Sequence, residues 1–598
     1  MTEADPLPNP DPNIGFDIPE LPVGHYFPLD RQNDQPSADT FEIGLVLGGT
    51  VSAGAYTAGV IDFLIQALDA WTVAKNAKDP QAPQHNVVIK ILSGTSGGGV
   101  NAVLMSRALG YAFLPYDATP ATTSNPLHDV WVNKLDIHEM LQTDDLEENG
   151  LASSLLCARS IDKAASDAGN YSGEPLGRLG TPAIRTYAEQ LLPVVLTLTN
   201  LRGVPYSTDF RGTSGRSEYY TDRADHLRYR VDITGRSPPA SSSIQPYEIG
   251  ISQTQSSGSE PWSAIVAAAR GTSAFPVGLP PIELVRKVED YRYRYAVVGS
   301  ATGTSVVWLK PDWRYLIPAG ANKDTPYRFL AVDGGCFNNE PINYARQYLA
   351  GVLGHNPREG NLAHRAIVLV DPFADAASIG PITDKGLIST AGSTLGALTS
   401  GARFETADFS LFTDEAVFSR FLINPIRANP IIGATGAWTG GQAIASSALA
   451  AFGGFLSSSF REHDFLLGRK NCQSFLLKHF SLPDTNSLFH APFWSDDQKR
   501  LYGQTDPGFL PIIPLMGSAK TPLSAPPWPK NSFDPDTIRD LIEARLERLA
   551  ARTVTPALGD WGLLGNWLLS KGVSWAGGRA TDAIVAAIRK ELEKAGLA

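Results

Sequence analysis

Runs of apolar residues that end near glycine recur through residues 41–375 and predict a buried sheet. Residues 41–47, 87–92 and 366–370 are mostly apolar and rich in valine, isoleucine and leucine. Strands of a parallel sheet are covered on both faces and have this composition. Residues 194–199 and 328–332 predict two further strands. We therefore expect an α/β protein.

Helical spacing of apolar residues follows two of these strands. A helix is predicted over residues 98–107, directly after the second strand. Another is predicted after Gly54, because its apolar residues recur at intervals of three and four. They are Tyr56, Val60, Phe63, Leu64, Ala67 and Leu68.

The middle of the chain has weaker patterns. Residues 108–190 indicate irregular and helical structure, with an acidic run at 144–148 that predicts a solvated face. Residues 203–260 are polar and predict loops with edge strands. Residues 291–298 and 304–309 predict a pair of strands.

Two uncharged, small-residue stretches, 386–402 and 428–460, lie on either side of a charged, phenylalanine-rich stretch. They fit a lid or interfacial helix that meets lipid. They also fit small-residue helices packed closely on the core. The second interpretation is favoured, because glycine is frequent and no basic face is present.

The end of the chain predicts a proline-rich linker at residues 514–535 and amphipathic helices at 536–550 and 580–592. These helices would dock on the protein or form oligomer contacts. Residues 376–598 are therefore predicted to be a mainly helical region that follows a first domain at 41–375. Residues 1–40 are rich in proline, aspartate and asparagine and predict a disordered or extended arm.

Composition and charge narrow the function. The chain has 598 residues and a net charge of -11, which argues against a nucleic-acid partner and gives no electrostatic reason to bind an anionic membrane. Cys157, Cys336 and Cys472 form no disulfide framework, which suits a reducing compartment. We see no secretory signal and no strongly apolar run that would span a bilayer. A cytoplasmic protein is expected, free or peripheral to a membrane.

The first candidate for chemistry is Ser96, at the centre of Gly94-Thr95-Ser96-Gly97-Gly98. This segment fits the pattern G-x-S-x-G and joins a predicted strand to a predicted helix. That context is required of a nucleophile elbow, a sharp turn that exposes the serine at a helix N-terminus. A structural glycine turn remains the alternative for this segment taken alone.

Two other stretches raise the probability of catalysis. The loop Gly48-Gly49-Thr50-Val51-Ser52-Ala53-Gly54 follows the first strand, and its N–H groups could bind an anion or an oxyanion. Asp333-Gly334-Gly335 follows the strand at 328–332, at the end of a sheet where catalytic groups collect. A tight turn is the plain alternative for each.

Together with the block Ala269–Pro281, these segments resemble the patatin-like phospholipases in order and spacing over residues 41–375. The resemblance implies a three-layer α/β/α fold and a serine–aspartate dyad. Ser96 would be the nucleophile and Asp333 the base. The reaction would be hydrolysis of a lipid ester, of phospholipase A or lysophospholipase type, without a metal or cofactor. The partner implied is a lipid ester, either dispersed or presented at a membrane surface.

The resemblance also implies an oxyanion hole from backbone N–H groups. The family loop usually reads G-G-G-x-[R/K]-G, whereas the loop here is one residue longer and has no basic residue. Gly48, Gly49, Thr50 and Gly97 are the expected donors. The expected supporting glycines are Gly94, Gly98, Gly334 and Gly335.

Two alternatives remain. An α/β-hydrolase triad would need a histidine after the aspartate, and the candidates are His355, His364, His463, His479 and His490. His463, with charged neighbours, is the most interesting, although such a histidine is more often structural. The other alternative is a catalytically inactive patatin-fold protein that binds lipid or protein, which the altered loop suggests.

Overall fold

The structure is a computed structural model. It describes residues 18–116, 125–146, 152–209, 217–235, 239–253, 260–300, 303–313, 316–317, 321–373, 406–428, 436–504, 506–553 and 578–598. The small-residue stretch at 386–402 and the first 17 residues of the predicted arm lie outside the described residues.

The strands are numbered in chain order. They are β1 (Thr40–Leu47), β2 (Asn86–Gly94), β3 (Leu191–Asp209), β4 (Ser217–Asp232), β5 (Ile249–Ser252), β6 (Ile282–Lys287), β7 (Tyr295–Ser300), β8 (Gly303–Trp308), β9 (Pro326–Asp333), β10 (Arg365–Val370), β11 (Arg420–Ile423), β12 (Ile426–Ala428), β13 (Ala437–Thr439), β14 (Ser481–Pro483) and β15 (Phe509–Pro511).

The helices are numbered in the same way. They are α1 (Val23–Tyr26), α2 (Gly54–Asn76), α3 (Gly97–Ala108), α4 (Pro126–His128), α5 (Ile137–Met140), α6 (Arg159–Asn170), α7 (Glu260–Thr272), α8 (Ile342–Ala350), α9 (Thr406–Thr413), α10 (Gly453–Leu456), α11 (Ser458–Lys478), α12 (Asp496–Tyr502), α13 (Arg539–Thr553) and α14 (Gly578–Lys594).

Nine strands in the described part of the chain form one mixed sheet, whose main path runs β11-β10-β1-β2-β3-β4-β5. The strands from β11 to β3 are parallel to their neighbours. Strand β4 is antiparallel to β3, β9 also pairs with β3, and β6 pairs with β9. The edge strand β11 lies beyond residue 375 in the chain but belongs to the same sheet. The predicted domain boundary at residue 375 stays a prediction.

The sheet is covered by helices on both faces, because its central strands are apolar on both sides. Leu45 and Leu47 of β1 belong to a large core with α2, α3, α7 and α11. Val46, between them, belongs to a second core with Ile342 and Leu349 of α8. The predicted three-layer α/β/α fold is confirmed.

Helices α2 and α11 cross with their backbones in contact. A Cβ atom at Gly59 would lie 1.9 Å from the carbonyl oxygen of Phe465, and one at Gly468 would lie 2.1 Å from that of Tyr56. Only glycine permits this approach. A buried ion pair between Asp62 and Arg469 also joins the two helices.

Among the described residues, one helical segment, 51–76, is long and apolar enough to cross a membrane. Of its most apolar window, 94% is buried inside the protein. It is the central helix α2, which corresponds to the helix predicted after Gly54 and belongs to the core.

Two local predictions differ from the structure. Tyr291 lies in a 3-10 helix, Val288–Tyr293, and the predicted strand begins only at β7, because the buried Tyr291 hydroxyl bonds Asp225. The described residues of 428–460 form the end of β12, its antiparallel partner β13, 3-10 turns, the short helix α10 and the start of α11, whereas small-residue helices were expected. The Asp464 carboxylate fixes these turns by accepting the N–H groups of Ala445 and Ser446.

The predicted C-terminal helices lie close to their expected positions, as α13 and α14. Helix α13 docks through Arg545, whose guanidinium pairs with Asp145 in the predicted acidic run. The acidic run was predicted to be a solvated face, but its residue Asp145 contacts helix α13. The described part of the N-terminal arm contains α1 and packs against the body, where Phe27 stacks on Tyr247.

Candidate active site

Ser96 lies in a strained turn between β2 and α3. Its φ of 54° and ψ of -131° are unusual for a residue with a side chain. The turn is tight enough to require glycine, because a Cβ at Gly98 would lie 2.2 Å from the carbonyl oxygen of Leu47. At Gly94 it would lie 2.6 Å from that of Gly98. This geometry is that of a nucleophile elbow.

Asp333 reaches Ser96 because two strands run toward each other along β3. Strand β2 is parallel to β3 and ends with Gly94 opposite Leu196. Strand β9 is antiparallel to β3 and ends with Asp333 opposite Leu198. Both lie on the same side of β3, since β4 occupies the other side along this stretch. The two strand ends therefore meet on either side of Thr197.

The meeting point joins the two candidate catalytic side chains directly. The Ser96 hydroxyl donates to Asp333 Oδ2 at 2.6 Å, and the Gly335 N–H donates to Asp333 Oδ1 at 2.8 Å. Ser96 is 4% exposed and Asp333 is 5% exposed. Burial raises the pKa of Asp333 to about 6, against the opposing effect of the hydrogen bonds from Ser96 and Gly335. Gly334 is required too, because a Cβ there would lie 2.4 Å from Thr197 Oγ1.

Helix α7 and the loop after it hold both residues from one side. The Ser96 N–H donates to Thr272 Oγ1 at 2.8 Å, and the Asp333 N–H donates to the Ala274 carbonyl at 3.0 Å. The block 269–281, noted for its resemblance, thus supports the backbone of the site. Thr272 was not predicted, because nothing in the sequence distinguishes it from the other residues of that block.

The glycine-rich loop lies beside Ser96, but two of its N–H groups are already used. Gly48 donates to the Val370 carbonyl and Gly49 donates to the Asn339 carbonyl, both at 3.1 Å. This corrects the expectation that these two glycines supply oxyanion donors, because their N–H groups hold the loop on its neighbours.

Two predicted donors remain, Thr50 and Gly97. In the described part of the chain, neither backbone N–H has an acceptor, and the buried Thr50 Oγ1 has no hydrogen-bond partner. The two residues are adjacent, since a Cβ at Gly97 would lie 2.2 Å from Thr50 Oγ1. Both flank Ser96 at the positive end of α3.

A segment from the C-terminal region, residues 445–456, holds the same loop; we call it the strap. The Ser52 N–H donates to the Ala451 carbonyl at 3.2 Å, and the Ser52 hydroxyl donates to the same oxygen. The Gly454 N–H donates back to Ser52 Oγ at 3.0 Å. Leu449, Ala450 and Ala451 all have positive φ, at 55°, 54° and 73°. Such residues are strained, so packing must hold the strap in place.

A cavity opens at Ser96. It lies between α3, α6 and α7, and the strap contributes Phe455. Apart from Arg270, its walls are small or apolar, including Val100, Leu104, Trp131, Ile161 and Ala164. An acyl chain would be desolvated by such walls.

No histidine among the described residues contacts the candidate pair. His463 bonds Asp464 at 2.8 Å and packs against Trp528, and His364 bonds Ser487. His355, His479 and His490 have no hydrogen bond to Ser96 or Asp333. The Ser96 hydroxyl bonds the carboxylate directly, so the geometry favours a pair over a triad.

The sequence model of the family described as Patatin-like phospholipase matches residues 45–346. This range contains the glycine-rich loop, Ser96, Thr272 and Asp333. The chain belongs to the patatin-like phospholipase family. Lipid acyl hydrolysis is the general activity of that family. Its motif-bearing segments in this chain are those that the structure brings together.

Sequence similarity to another protein extends beyond the range of the family match. The uncharacterized protein y4iI of Sinorhizobium fredii is 31% identical over 564 residues, covering 87% of this chain and 77% of the relative. This coverage exceeds the family match, so the relative also shares sequence outside residues 45–346.

Proposed function

We propose that this patatin-like protein is a serine acyl hydrolase that cleaves lipid esters, either phospholipids or lysophospholipids. The observation that carries the proposal is the buried 2.6 Å hydrogen bond from Ser96 Oγ to Asp333 Oδ2 at a nucleophile elbow. A serine hydroxyl is a weak nucleophile and needs an adjacent base. In this site the neighbouring base is a carboxylate.

In the proposed reaction, Asp333 accepts the Ser96 proton while Oγ attacks the ester carbonyl. The protonated Asp333 then gives its proton to the departing alcohol, leaving an acyl-enzyme. Water attacks the acyl group and gives a proton to Asp333, which passes that proton to Ser96 Oγ as the fatty acid leaves. The pKa of about 6 keeps Asp333 mostly ionised at neutral pH and makes it a stronger base than an exposed aspartate.

The oxyanion of each tetrahedral intermediate would accept hydrogen bonds from the Thr50 and Gly97 N–H groups. The residue after the nucleophile supplies such a donor in other elbow enzymes. The Thr50 hydroxyl and the N-terminal end of α3 would add to the stabilisation. The missing basic residue of the loop is then not required for the oxyanion.

The lipid would enter the cavity between α3, α6 and α7, whose apolar walls would contact its acyl chain. A lipid ester is therefore the expected partner, at a membrane surface or as a dispersed molecule. Cytoplasmic location, with or without peripheral membrane contact, is part of the proposal.

The decisive experiment is labelling with a fluorophosphonate probe, which reacts with activated serines. Wild type and Ser106→Ala should be labelled, whereas Ser96→Ala and Asp333→Asn should not. Ser106 is the matched control, because it is also buried, lies on α3, and bonds only the Val103 carbonyl. Release of fatty acid from phospholipids and lysophospholipids then identifies the preferred ester.

The inactive alternative predicts the opposite result. A folded wild type that stays unlabelled with detergent and lipid present would favour a lipid-binding protein and refute the hydrolase. Labelling that persists in Ser96→Ala would place the nucleophile elsewhere.

A further inference from the structure

Arg270 is a buried cation with an incomplete set of partners. It lies in the last turn of α7 and is 4% exposed. Its Nε donates to Asp162 of α6. Nη1 and Nη2 are buried and find no acceptor among the residues that the structure describes. Burying N–H groups of a charged side chain without acceptors costs more than leaving a neutral donor unpaired.

Arg270 borders the same cavity as the candidate nucleophile. Arg270 and Ser96 both line it, and Arg270 is two residues before Thr272, which binds the Ser96 N–H. The other walls are small or apolar, so the cavity offers its occupant a serine and one cation in a water-poor environment. Such an environment strengthens charge-assisted hydrogen bonds.

We propose that Arg270 binds the phosphate of a lipid whose scissile ester lies at Ser96. This inference rests on the proposed function and assigns to Arg270 the recognition of the phosphate that its phospholipid or lysophospholipid substrate carries. Because the ester carbonyl occupies Ser96, a second group on the same molecule must reach Arg270. In a glycerophospholipid, the phosphate is the group that can do so.

The hydrogen bond from Nε to Asp162 suits this role. It fixes the plane of the guanidinium and leaves the two Nη groups for a bidentate contact with phosphate oxygens. The Asp162 side chain is 58% exposed and does not line the cavity, so it pairs with Nε without occupying the Nη groups. A neutral ester would leave the Nη groups unpaired, and sites that bind a polar group discriminate strongly against ligands that lack it.

The kinetic test compares dihexanoylphosphatidylglycerol with dihexanoylglycerol, which has the same acyl chains and no phosphate. The ratio of their kcat/KM values should favour the phospholipid and fall about tenfold to a hundredfold in Arg270→Met. Lys134→Met is the matched control. It removes a positive charge that pairs with Asp129 and with Asp167 of α6 outside the cavity lining, so the ratio should stay as in wild type.

An unchanged ratio in Arg270→Met, or an equal fall in Lys134→Met, would overturn the proposal. If Arg270→Met does not fold, as judged by circular dichroism, Arg270→Lys replaces it. Lysine keeps the charge but loses the planar fork, so the ratio should still fall. A lysine variant with the wild-type ratio would also overturn the bidentate contact.

A binding experiment separates this inference from the hydrolase proposal, because it needs no turnover. Calorimetry on Ser96→Ala should show decyl phosphate binding at least tenfold more tightly than decanol, and the difference should be lost in Ser96→Ala/Arg270→Met. Inorganic phosphate that binds as tightly as decyl phosphate would indicate a free-anion site and refute the lipid assignment. Decanoate that binds as tightly would refute the preference for phosphate.

The two proposals can therefore fail separately. If wild type is not labelled by fluorophosphonate but decyl phosphate binding depends on Arg270, the hydrolase proposal fails and the phosphate site stands. If labelling depends on Ser96 but neither ratio nor binding depends on Arg270, the phosphate site alone fails.

Discussion

Replacing Asp333 by asparagine should abolish activity and, at the same time, make the protein more stable. Burial raises the pKa of this carboxyl from 3.8 to about 6, so the folded protein holds the proton more tightly than the unfolded chain does. The stability that comes from this proton is fully present below about pH 4 and is lost as the pH rises through about 6. Wild type at pH 8 therefore keeps an ionised carboxylate in an unfavourable place.

The magnitude follows from the two pKa values. Each pKa unit corresponds to about 1.4 kcal/mol, so the ionised carboxylate lowers the free energy of unfolding by about 3 kcal/mol at pH 8. At pH 5 the same calculation gives about half as much, because the folded carboxyl is then mostly protonated. Asparagine is neutral at both values, and its side-chain oxygen can still accept the Gly335 N–H. Asp333→Asn should therefore be more stable than wild type, by more at pH 8 than at pH 5.

Urea unfolding followed by circular dichroism at pH 8 and pH 5 measures the difference. Asp497→Asn is the control, because the Asp497 side chain is 86% exposed and its replacement should change stability by less than about 0.5 kcal/mol. An Asp333→Asn variant less stable than wild type at pH 8 would refute the reasoning. So would an advantage that grows as the pH falls.

Three further outcomes are expected. The kcat/KM for a lipid ester should fall about tenfold per pH unit below pH 6, where Asp333 becomes protonated, and a plateau down to pH 5 would contradict its role as the base. Thr272→Val leaves the buried Ser96 N–H without its acceptor and should lower the free energy of unfolding by about 1–3 kcal/mol. Thr272→Ser keeps the hydroxyl and should retain most of that stability. Equal losses in the two variants would show that the hydroxyl is unimportant. Gly59→Ala forces a Cβ against the Phe465 carbonyl and should destabilise by about 1–3 kcal/mol in thermal unfolding. Gly299→Ala, where a Cβ meets nothing within 4 Å, should not destabilise the protein. Equal melting temperatures for the two variants would argue against the close contact of α2 and α11.

The sheet and the elbow were predictable because their signals are local. Strands β1, β2 and β10 are buried on both faces, so their apolar runs stand out in the sequence. The turn at Ser96 needs glycine at fixed positions around it, and these positions form the motif. Asp333 was found for a similar reason, since it ends a strand and precedes two glycines.

The remaining features depend on contacts between distant parts of the chain. Strand β3 was predicted at residues 194–199 and runs over Leu191–Asp209, but the sequence does not show that β2 and β9 both pair with its residues 194–200 and meet there end to end. The use of the Gly48 and Gly49 N–H groups depends on carbonyls about 300 residues away. Arg270 has no sequence signal, because an arginine at the end of a helix is ordinary until its neighbours are known.

The strap has a consequence for how this enzyme could be divided or inherited. Every motif of the site lies before residue 336, yet Ser52 is held by Ala451 and Gly454. A fragment ending at residue 375 would contain all the signature residues while losing the contacts that shape the loop beside Ser96. The part of the chain that contains the candidate site is thus not expected to work when separated from the strap. A fusion or recombination event with its breakpoint between residues 375 and 445 should be tolerated only when the protein keeps both the part before the breakpoint and the part after it.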